Sequence, residues 1–184
     1  MMSLSGKFNV VLGVTGSIAA YKAAELVRLM TKAGWGVHVV MTTAATNFVT
    51  PLTFRTLSQN PVSVDSFAEP DVWLPGHISL ADRADVMLVA PCSANMMAKI
   101  AYGLADDLLS STILACKAPL LLAPAMNTGM WENKATQDNL ALLKSRGVGI
   151  VDAGTGELAC GTSGKGRMAE PEEIFAAVAQ IAAV

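Results

Sequence analysis

Glycine and hydroxyl residues follow the first apolar run of the chain, in the segment 13–20 that leads into a helical pattern. Glycines let a backbone approach an anion closely, and a helix start offers unpaired N–H groups and the positive end of its dipole. The loop around Gly16 could therefore hold a phosphate, or Ser17 could cap the helix of a tight turn. Its spacing fits neither the Gly-x-Gly-x-x-Gly dinucleotide motif nor a nucleotide P-loop.

Hydroxyl and amide side chains follow the next three apolar runs. Thr42 and Thr43 could bind a phosphate, or they could cap the helix that is expected to begin near Thr46. Asn95 and Asn127 each come just after a strand expected to be buried, where an amide needs partners that satisfy it. A single such asparagine often only fixes a loop, but two at neighbouring strand ends favour a binding site.

One thiol and two histidines are the remaining candidate reactive groups. Cys160 lies in the glycine-rich segment 154–168, which is too long for a turn and predicts a mobile flap. His77 lies at a loop-to-helix boundary, where a lone histidine is commonly a surface or capping residue. His38 lies between two valines of the second apolar run, and we expect it to be structural.

A β-α-β-α series positions these groups. Its apolar runs are nearly continuous, which is typical of parallel strands buried on both faces. The predicted strands are residues 8–14, 36–42, 85–91, 119–124 and 147–152. The predicted helices are residues 17–33, 46–58, 94–102, 106–116, 131–145 and 171–183, and long loops are expected at 67–76 and 164–166. The series predicts one α/β domain over residues 1–184, with a doubly wound parallel sheet that binds ligands at the carboxyl ends of its strands.

The composition limits the classes of function. With 13 basic and 15 acidic residues, the net charge of −2 gives no basic footprint for nucleic acid and no polybasic membrane anchor. Hydrophobic residues make up 52% of the chain and charged residues 15%, so we expect part of the surface to be buried in a homo-oligomer. No apolar run reaches the ~18 residues of a membrane span, and residues 7–20 lack the unbroken core of a signal peptide. The three cysteines are far apart, which predicts neither disulfides nor a metal site and fits the cytoplasm.

Six motifs occur together in one order along the chain. They are Gly-Ser-Ile-Ala-Ala-Tyr-Lys (16–22), Gly-His-Ile-Ser-Leu (76–80), Pro-Cys-Ser-Ala-Asn (91–95), Gly-Leu-Ala-Asp-Asp-Leu-Leu (103–109), Pro-Ala-Met-Asn-x-x-Met-Trp (124–131) and Leu-Ala-Cys-Gly (158–161). In this order they resemble the flavin-dependent cysteine decarboxylases, most closely those of coenzyme A biosynthesis. The resemblance covers residues 7–171, nearly the whole chain.

The resemblance implies a flavodoxin-like, three-layer Rossmann-type fold that binds FMN. It also implies a homotrimer or a homododecamer of trimers, with active sites between subunits. The FMN contacts of the family map onto Gly16, Ser17, Ile18, Thr42, Thr43, Ala44, Ser93, Ala94, Asn95, Met96 and Ala125.

The catalytic groups are also implied by the resemblance. Family members use the histidine that matches His77 as a base and the asparagine that matches Asn127 to hold the substrate carboxylate. The cysteine that matches Cys160 donates a proton, and a thiol with a pKa of ~8.5 can do so and be reprotonated near neutral pH. Further substrate contacts are expected at Met126, Leu158 and Ala159.

The implied reaction is the decarboxylation of 4′-phosphopantothenoylcysteine to 4′-phosphopantetheine. In the family mechanism the substrate is oxidised by FMN to a thioaldehyde, loses CO2 as an enethiolate and is then reduced again. One alternative is a peptidyl-cysteine decarboxylase of the lantibiotic type, which does not need a counterpart of Cys160. Another is a flavin-binding regulatory subunit without turnover, although the chain retains its catalytic groups and has no acidic extension. A flavin prenyltransferase shares the fold but resembles the chain less.

Two positions depart from the family motif Pro-Ala-Ser-Ala-Asn-Thr. Cys92 takes the place of the first alanine, and Met96 takes the place of the threonine. The second change removes a hydroxyl, so only the backbone of Met96 is expected to contact the flavin. In many bacteria the decarboxylase is fused to a ligase domain, so the chain is either a stand-alone enzyme or one half of a bifunctional one.

Overall fold

A six-stranded parallel sheet runs through the centre of the protein. The computed structural model describes residues 7–65, 76–157 and 163–183. The strands of the sheet are β1 (Asn9–Val14), β2 (Gly36–Met41), β3 (Val62–Ser63), β4 (Val86–Cys92), β5 (Leu120–Pro124) and β6 (Gly149–Ile150). Their order is β3-β2-β1-β4-β5-β6, and each neighbouring pair is parallel. The predicted doubly wound α/β fold is confirmed.

Helices cover both faces of this sheet. They are α1 (Ala20–Lys32), α2 (Pro51–Ser58), α3 (Gly76–Arg83), α4 (Ala94–Tyr102), α5 (Leu108–Ala115), α6 (Thr128–Glu132), α7 (Lys134–Ser145) and α8 (Pro171–Ala182). The core on one face includes residues of α1, α2 and α8. The core on the other face includes residues of α4 to α7, with α3 packed beside α5.

Strand β1 shows why the apolar runs are continuous. Val10, Leu12 and Val14 face the first core, and Val11 between them faces the second. All four are fully buried, so each of these positions needs an apolar side chain. Burying one such side chain stabilises the fold by about 1.5–3 kcal/mol.

The helix predicted over residues 46–58 begins later than expected. Helix α2 starts at Pro51, and a short 3₁₀ turn over Ala45–Asn47 precedes it. Thr50 is extended because the proline ring disfavours a helical conformation in the preceding residue.

The helix predicted over residues 131–145 is two helices. Asn133 leaves the helical conformation, and its side-chain oxygen accepts a hydrogen bond from the backbone N–H of Ala135 at 3.0 Å. This bond caps the start of α7 directly after α6 ends.

The glycine-rich segment forms a small antiparallel hairpin beside the main sheet. Its strands are β7 (Gly154–Glu157) and β8 (Ser163–Arg167). The prediction of a long loop over residues 164–166 is therefore wrong, because these residues pair with β7. Met168, the last residue of the flap predicted over residues 154–168, is buried in the first core. A glycine-rich sequence lacks the alternation of apolar residues that predicts a strand, so a strand of this kind is not recognised from the sequence.

An ion-pair cluster explains the motif at residues 103–109. The Lys99 ammonium lies 2.7 Å from a carboxylate oxygen of Asp107 and also pairs with Asp106. Asp107 caps α5 by accepting the backbone N–H of Ser110 at 2.8 Å. Burial alone would raise the pKa of Asp107, but the hydrogen bonds from Lys99 and Ser110 outweigh it and lower this pKa. The cluster thus links α4 to the start of α5.

His38 is buried in the middle of β2, as expected for a structural residue. Its Nδ1 atom lies 3.5 Å from an Nη atom of Arg83. Burial and the nearby Arg83 charge lower the pKa of His38, which favours the neutral ring at physiological pH.

Candidate functional site

The candidate site lies at the carboxyl edge of the sheet. Since all six strands are parallel, the turns that follow β1, β2, β4 and β5 leave the sheet on the same side. The strand order reverses direction between β1 and β4, and open α/β sheets bind ligands in the crevice at such a switch point. These four turns carry most of the site residues predicted from the sequence.

The turn after β1 presents unpaired backbone donors. Helix α1 begins at Ala20, and its N-cap residue Ala19 makes no side-chain capping bond. Ser17 Oγ accepts the N–H of Ala19 at 3.2 Å, so Ser17 supports the turn locally but is not the helix cap. Within the described residues, no acceptor takes the backbone N–H groups of Gly16, Ser17 or Ile18. Such a set of N–H groups at the start of a helix suits a phosphate.

Gly16 brings this turn against the turn after β2. A Cβ atom added at Gly16 would lie 2.6 Å from the Cβ of Ala44 and 3.3 Å from its carbonyl carbon. A larger residue would push the two turns apart, so the close approach requires glycine.

The turn after β2 is held by a threonine. Thr42 Oγ1 accepts the N–H of Ala45 at 3.2 Å and so supports the turn before the short 3₁₀ segment, whose N-cap residue is Ala44. Thr43 is exposed and accepts the hydroxyl of Thr46 through its carbonyl oxygen at 2.7 Å. Contact between the Thr43 hydroxyl and a cofactor stays a prediction.

The turn after β4 starts helix α4. Ser93 is the N-cap, and its Oγ accepts the N–H of Met96 at 3.3 Å. The Met96 side chain is buried in the second core. Ala94 is half-buried, and Asn95 is exposed at the edge.

Cys92 is the last residue of β4 and is fully buried. Burial raises the pKa of its thiol to about 12. Since the thiolate is the nucleophilic form, Cys92 is an inert packing residue in this position.

The turn after β5 continues the edge. Ala125 donates its N–H to the carbonyl of Cys92 at 3.0 Å, which joins the ends of β4 and β5. Asn127 is the N-cap of α6, and its Oδ1 accepts the N–H of Gly129 at 2.8 Å. This bond fixes the Asn127 side chain at the start of α6.

The β7–β8 hairpin packs directly on this last turn. Met126 donates its N–H to the carbonyl of Gly166 at 2.9 Å. Gly166 has a φ of +135°, and a Cβ atom there would collide with the carbonyl oxygen of Met126. Gly164 lies equally close to Thr128, whose buried hydroxyl has no hydrogen-bond partner in the described part of the chain. The predicted residues Leu158, Ala159 and Cys160 come between β7 and β8 in the sequence and lie outside the described residues.

His77 is the second residue of α3 and is half-buried. Helix α3 ends at Arg83, just before β4 enters the sheet at Val86, so its first residues lie toward the carboxyl edge. No hydrogen bond or ion pair joins His77 to another described residue. The structure thus places His77 on the same side as the four turns, with no hydrogen bond or ion pair to their described residues.

Two features of the site were not predicted. Thr15 Oγ1 bonds to the residues on either side of Cys92, where β4 ends: it donates to the Pro91 carbonyl at 2.7 Å and accepts the N–H of Ser93 at 3.0 Å. The buried Lys22 ammonium lies 2.9 Å from both carboxylate oxygens of Glu170 and holds the pKa of that carboxyl below its usual range. Both contacts join residues far apart in the sequence. Only the position of Thr15, directly after a buried strand, could have pointed to the first.

No helix among the described residues is long and apolar enough to cross a membrane. No group of three or more histidine, cysteine or acidic side chains among them could hold a metal ion.

An open parallel sheet with an anion-binding turn at its switch point defines the class of α/β proteins that bind a phosphorylated cofactor. The sequence model of one family, described as Flavoprotein, matches residues 2–183. The chain belongs to this flavoprotein family and, within it, to the flavin-dependent cysteine decarboxylases. The resemblance stated from the six motifs is confirmed.

Three known proteins show the relationship. The coenzyme A biosynthesis bifunctional protein CoaBC of Haemophilus influenzae is 51% identical over 178 residues, which cover 96% of this chain and 44% of that protein. A structure of a PPC decarboxylase variant complexed with pantothenoylaminoethenethiol matches with a TM-score of 0.87 and 34% identity, over 97% of this chain and 100% of the other. The FMN binding protein AtHal3 matches with a TM-score of 0.82 and 34% identity, over 95% and 96%. The chain thus spans less than half the length of its bifunctional relative.

Proposed function

We propose that the protein decarboxylates 4′-phosphopantothenoylcysteine to 4′-phosphopantetheine with bound FMN. The observation that carries this proposal is the group of turns at the switch point. There the backbone N–H groups of Gly16, Ser17 and Ile18, which we call the N–H cradle, lie at the same edge of the sheet as Asn127. The similarity to the CoaBC and PPC decarboxylase proteins supports the choice of substrate. A cytoplasmic location is part of the proposal and agrees with its widely spaced cysteines.

The residues of the four turns fit FMN. The donors in the turn after β1 are neutral N–H groups and the Ser17 hydroxyl, which suit a phosphate monoester at a helix start. Gly16 keeps this cradle open, and the exposed Asn95 amide can contact the polar edge of a ring. FMN supplies the electron sink that a cysteinyl carboxylate needs before it can lose CO2.

Gly16→Ala is expected to weaken FMN binding at least tenfold, about 1.4 kcal/mol. The added methyl group meets Ala44, so the turn after β1 or the turn after β2 must move. Fluorescence titration of the apoprotein with FMN measures the effect. Gly154→Ala is the matched control, because a Cβ atom there has an ordinary contact of 3.8 Å with the carbonyl of Arg167. Equal affinities in the two variants would contradict the assignment of the cradle.

The roles of the remaining groups follow from their positions. Asn127, the N-cap of α6 at the same edge of the sheet, would hold the substrate carboxylate. His77, at the start of α3, would accept the proton of the substrate thiol. Cys160, between the two hairpin strands in the sequence, would return a proton when the product is reduced. Met126, Leu158 and Ala159 would line the substrate beside them.

We also propose that the protein is a homo-oligomer, a trimer or a dodecamer, with active sites between subunits. Support comes from large apolar side chains that are exposed near the turns after β1 and β2, among them Ile18 at 57%, Tyr21 at 60% and Leu52 at 68%. Exposed apolar patches of this kind mark contacts between proteins.

Light scattering of the purified protein is expected to give three or twelve times the mass of the chain, which is 19.1 kDa. Leu52→Glu is expected to lower this mass, because it would bury a charge in the contact. Lys134→Glu, at an exposed position of α7, is the control. A monomeric wild-type protein would contradict this part of the proposal.

The proposed reaction is tested by CO2 release. FMN-loaded protein is incubated with 4′-phosphopantothenoylcysteine, and CO2 is followed over time beside an apoprotein control. The proposal expects release only from the loaded protein. A protein that binds FMN and releases no CO2 would support a flavin-binding regulatory role and overturn the proposed reaction.

A further inference from the structure

Thr15 is a buried polar residue at the point where β1 ends and the turn before α1 begins. Its residue exposure is 1%. The Oγ1 atom donates a hydrogen bond to the carbonyl of Pro91 at 2.7 Å and accepts the N–H of Ser93 at 3.0 Å. The backbone N–H of Thr15 also donates to the carbonyl of Pro91, at 3.3 Å. The hydroxyl therefore uses both its donor and an acceptor site in the fold.

These bonds lie where the pairing of the two strands stops. The register of β1 with β4 runs from Val10 opposite Val86 to Gly13 opposite Val89. Strand β4 continues to Cys92, while β1 ends at Val14. Beyond the last paired residues of β1 and β4, Thr15 makes the hydrogen bonds that join the two segments in the described part of the protein.

The two segments joined by Thr15 are two halves of the proposed cofactor site. The turn after β1 begins directly after Thr15 and carries the N–H cradle at Gly16. The turn after β4 begins with Ser93, which also caps α4 and so sets the position of Asn95. A change in the Thr15 hydrogen bonds would alter the distance between the two turns.

We propose that Thr15 is a positioning residue, whose hydroxyl sets the spacing of the two FMN-binding turns across the switch point. The inference rests on the proposed FMN site. Valine has the shape of threonine without the hydroxyl, so Thr15→Val leaves the buried N–H of Ser93 without its acceptor. Thr15→Ser keeps the hydroxyl and therefore both bonds.

The test is the FMN affinity of apoprotein variants, measured by fluorescence titration, together with the Tm of each apoprotein. Thr15→Val is expected to weaken FMN binding about tenfold or more, and Thr15→Ser is expected to restore it to within about threefold of the wild type. Thr112→Val is the matched control, because Thr112 is also fully buried and its hydroxyl bonds to Leu108 within α5 at 2.7 Å. It is expected to lower the Tm and leave the FMN affinity unchanged.

Three results would overturn the inference. One is a Thr15→Val protein that has a lower Tm and wild-type FMN affinity, because the role would then be structural only. Another is an equal loss of affinity in Thr112→Val. The third, which needs no folded valine variant, is a Thr15→Ser protein that loses FMN although it keeps the hydroxyl. A wild-type apoprotein that takes up no FMN would instead overturn the proposed function itself.

Discussion

His77→Asn is expected to leave the protein yellow with bound FMN while its turnover falls by about 10²–10⁴-fold. This range is typical for the loss of a general acid or base. His77 lies at the start of α3 and shares no hydrogen bond with the described residues of the four turns, so the cofactor cradle should survive the change. Asparagine keeps a polar side chain at the helix start but cannot take up a proton near neutral pH.

The experiment compares absorbance of bound flavin with the rate of CO2 release. His38→Asn is the matched control, because His38 is buried in the middle of β2 and away from the carboxyl edge. It is expected to lower the Tm and leave the rate per bound flavin unchanged. A colourless His77 variant would show that the residue supports flavin binding instead, and a variant with full turnover would show that it is not the base.

Cys160→Ser is expected to release CO2 but to stall before the product is reduced. A hydroxyl is a far weaker acid than a thiol, whose pKa is ~8.5, so serine cannot supply the proton of the last step at a useful rate. The expected product lacks two hydrogens compared with that of the wild type. Mass spectrometry of the reaction mixture distinguishes the two products.

Cys116→Ser is the control for this prediction. Cys116 follows α5, and burial raises the pKa of its thiol, so it is not expected to take part in proton transfer. The Cys116 variant should form the complete product. If the Cys160 variant also formed it at the wild-type rate, the assignment of the proton donor would be wrong.

The fold could be predicted because a strand that is buried on both faces is apolar along its length, and this continuous apolar run is visible in the sequence. A strand such as β4, with all seven residues buried, must be apolar throughout. Strand β3 has only two residues at the edge of the sheet, too few for any pattern, and it was not predicted. The break at Asn133 is not predicted because the apolar spacing continues across it, while the N-cap of α7 at Asn133 is a single side-chain bond.

The candidate site could be predicted in part for a similar reason. Gly16, Ser93 and Asn127 each follow a buried strand, so a parallel topology alone brings them to one edge. The contact between Thr15 and Ser93 joins residues 78 apart in the sequence, and that between Lys22 and Glu170 joins residues 148 apart. Pairings of this kind depend on how the elements pack, and no local pattern shows them.

The mass of the product formed from 4′-phosphopantothenoylcysteine tests the central claim most directly. The FMN-loaded wild-type protein is predicted to give a product that has lost CO2 alone, which requires oxidation, decarboxylation and re-reduction in one cycle. A product that has lost CO2 and two hydrogens would contradict the complete cycle and favour an oxidative decarboxylase of the peptidyl-cysteine type. Unchanged substrate in the presence of bound FMN would contradict decarboxylation altogether.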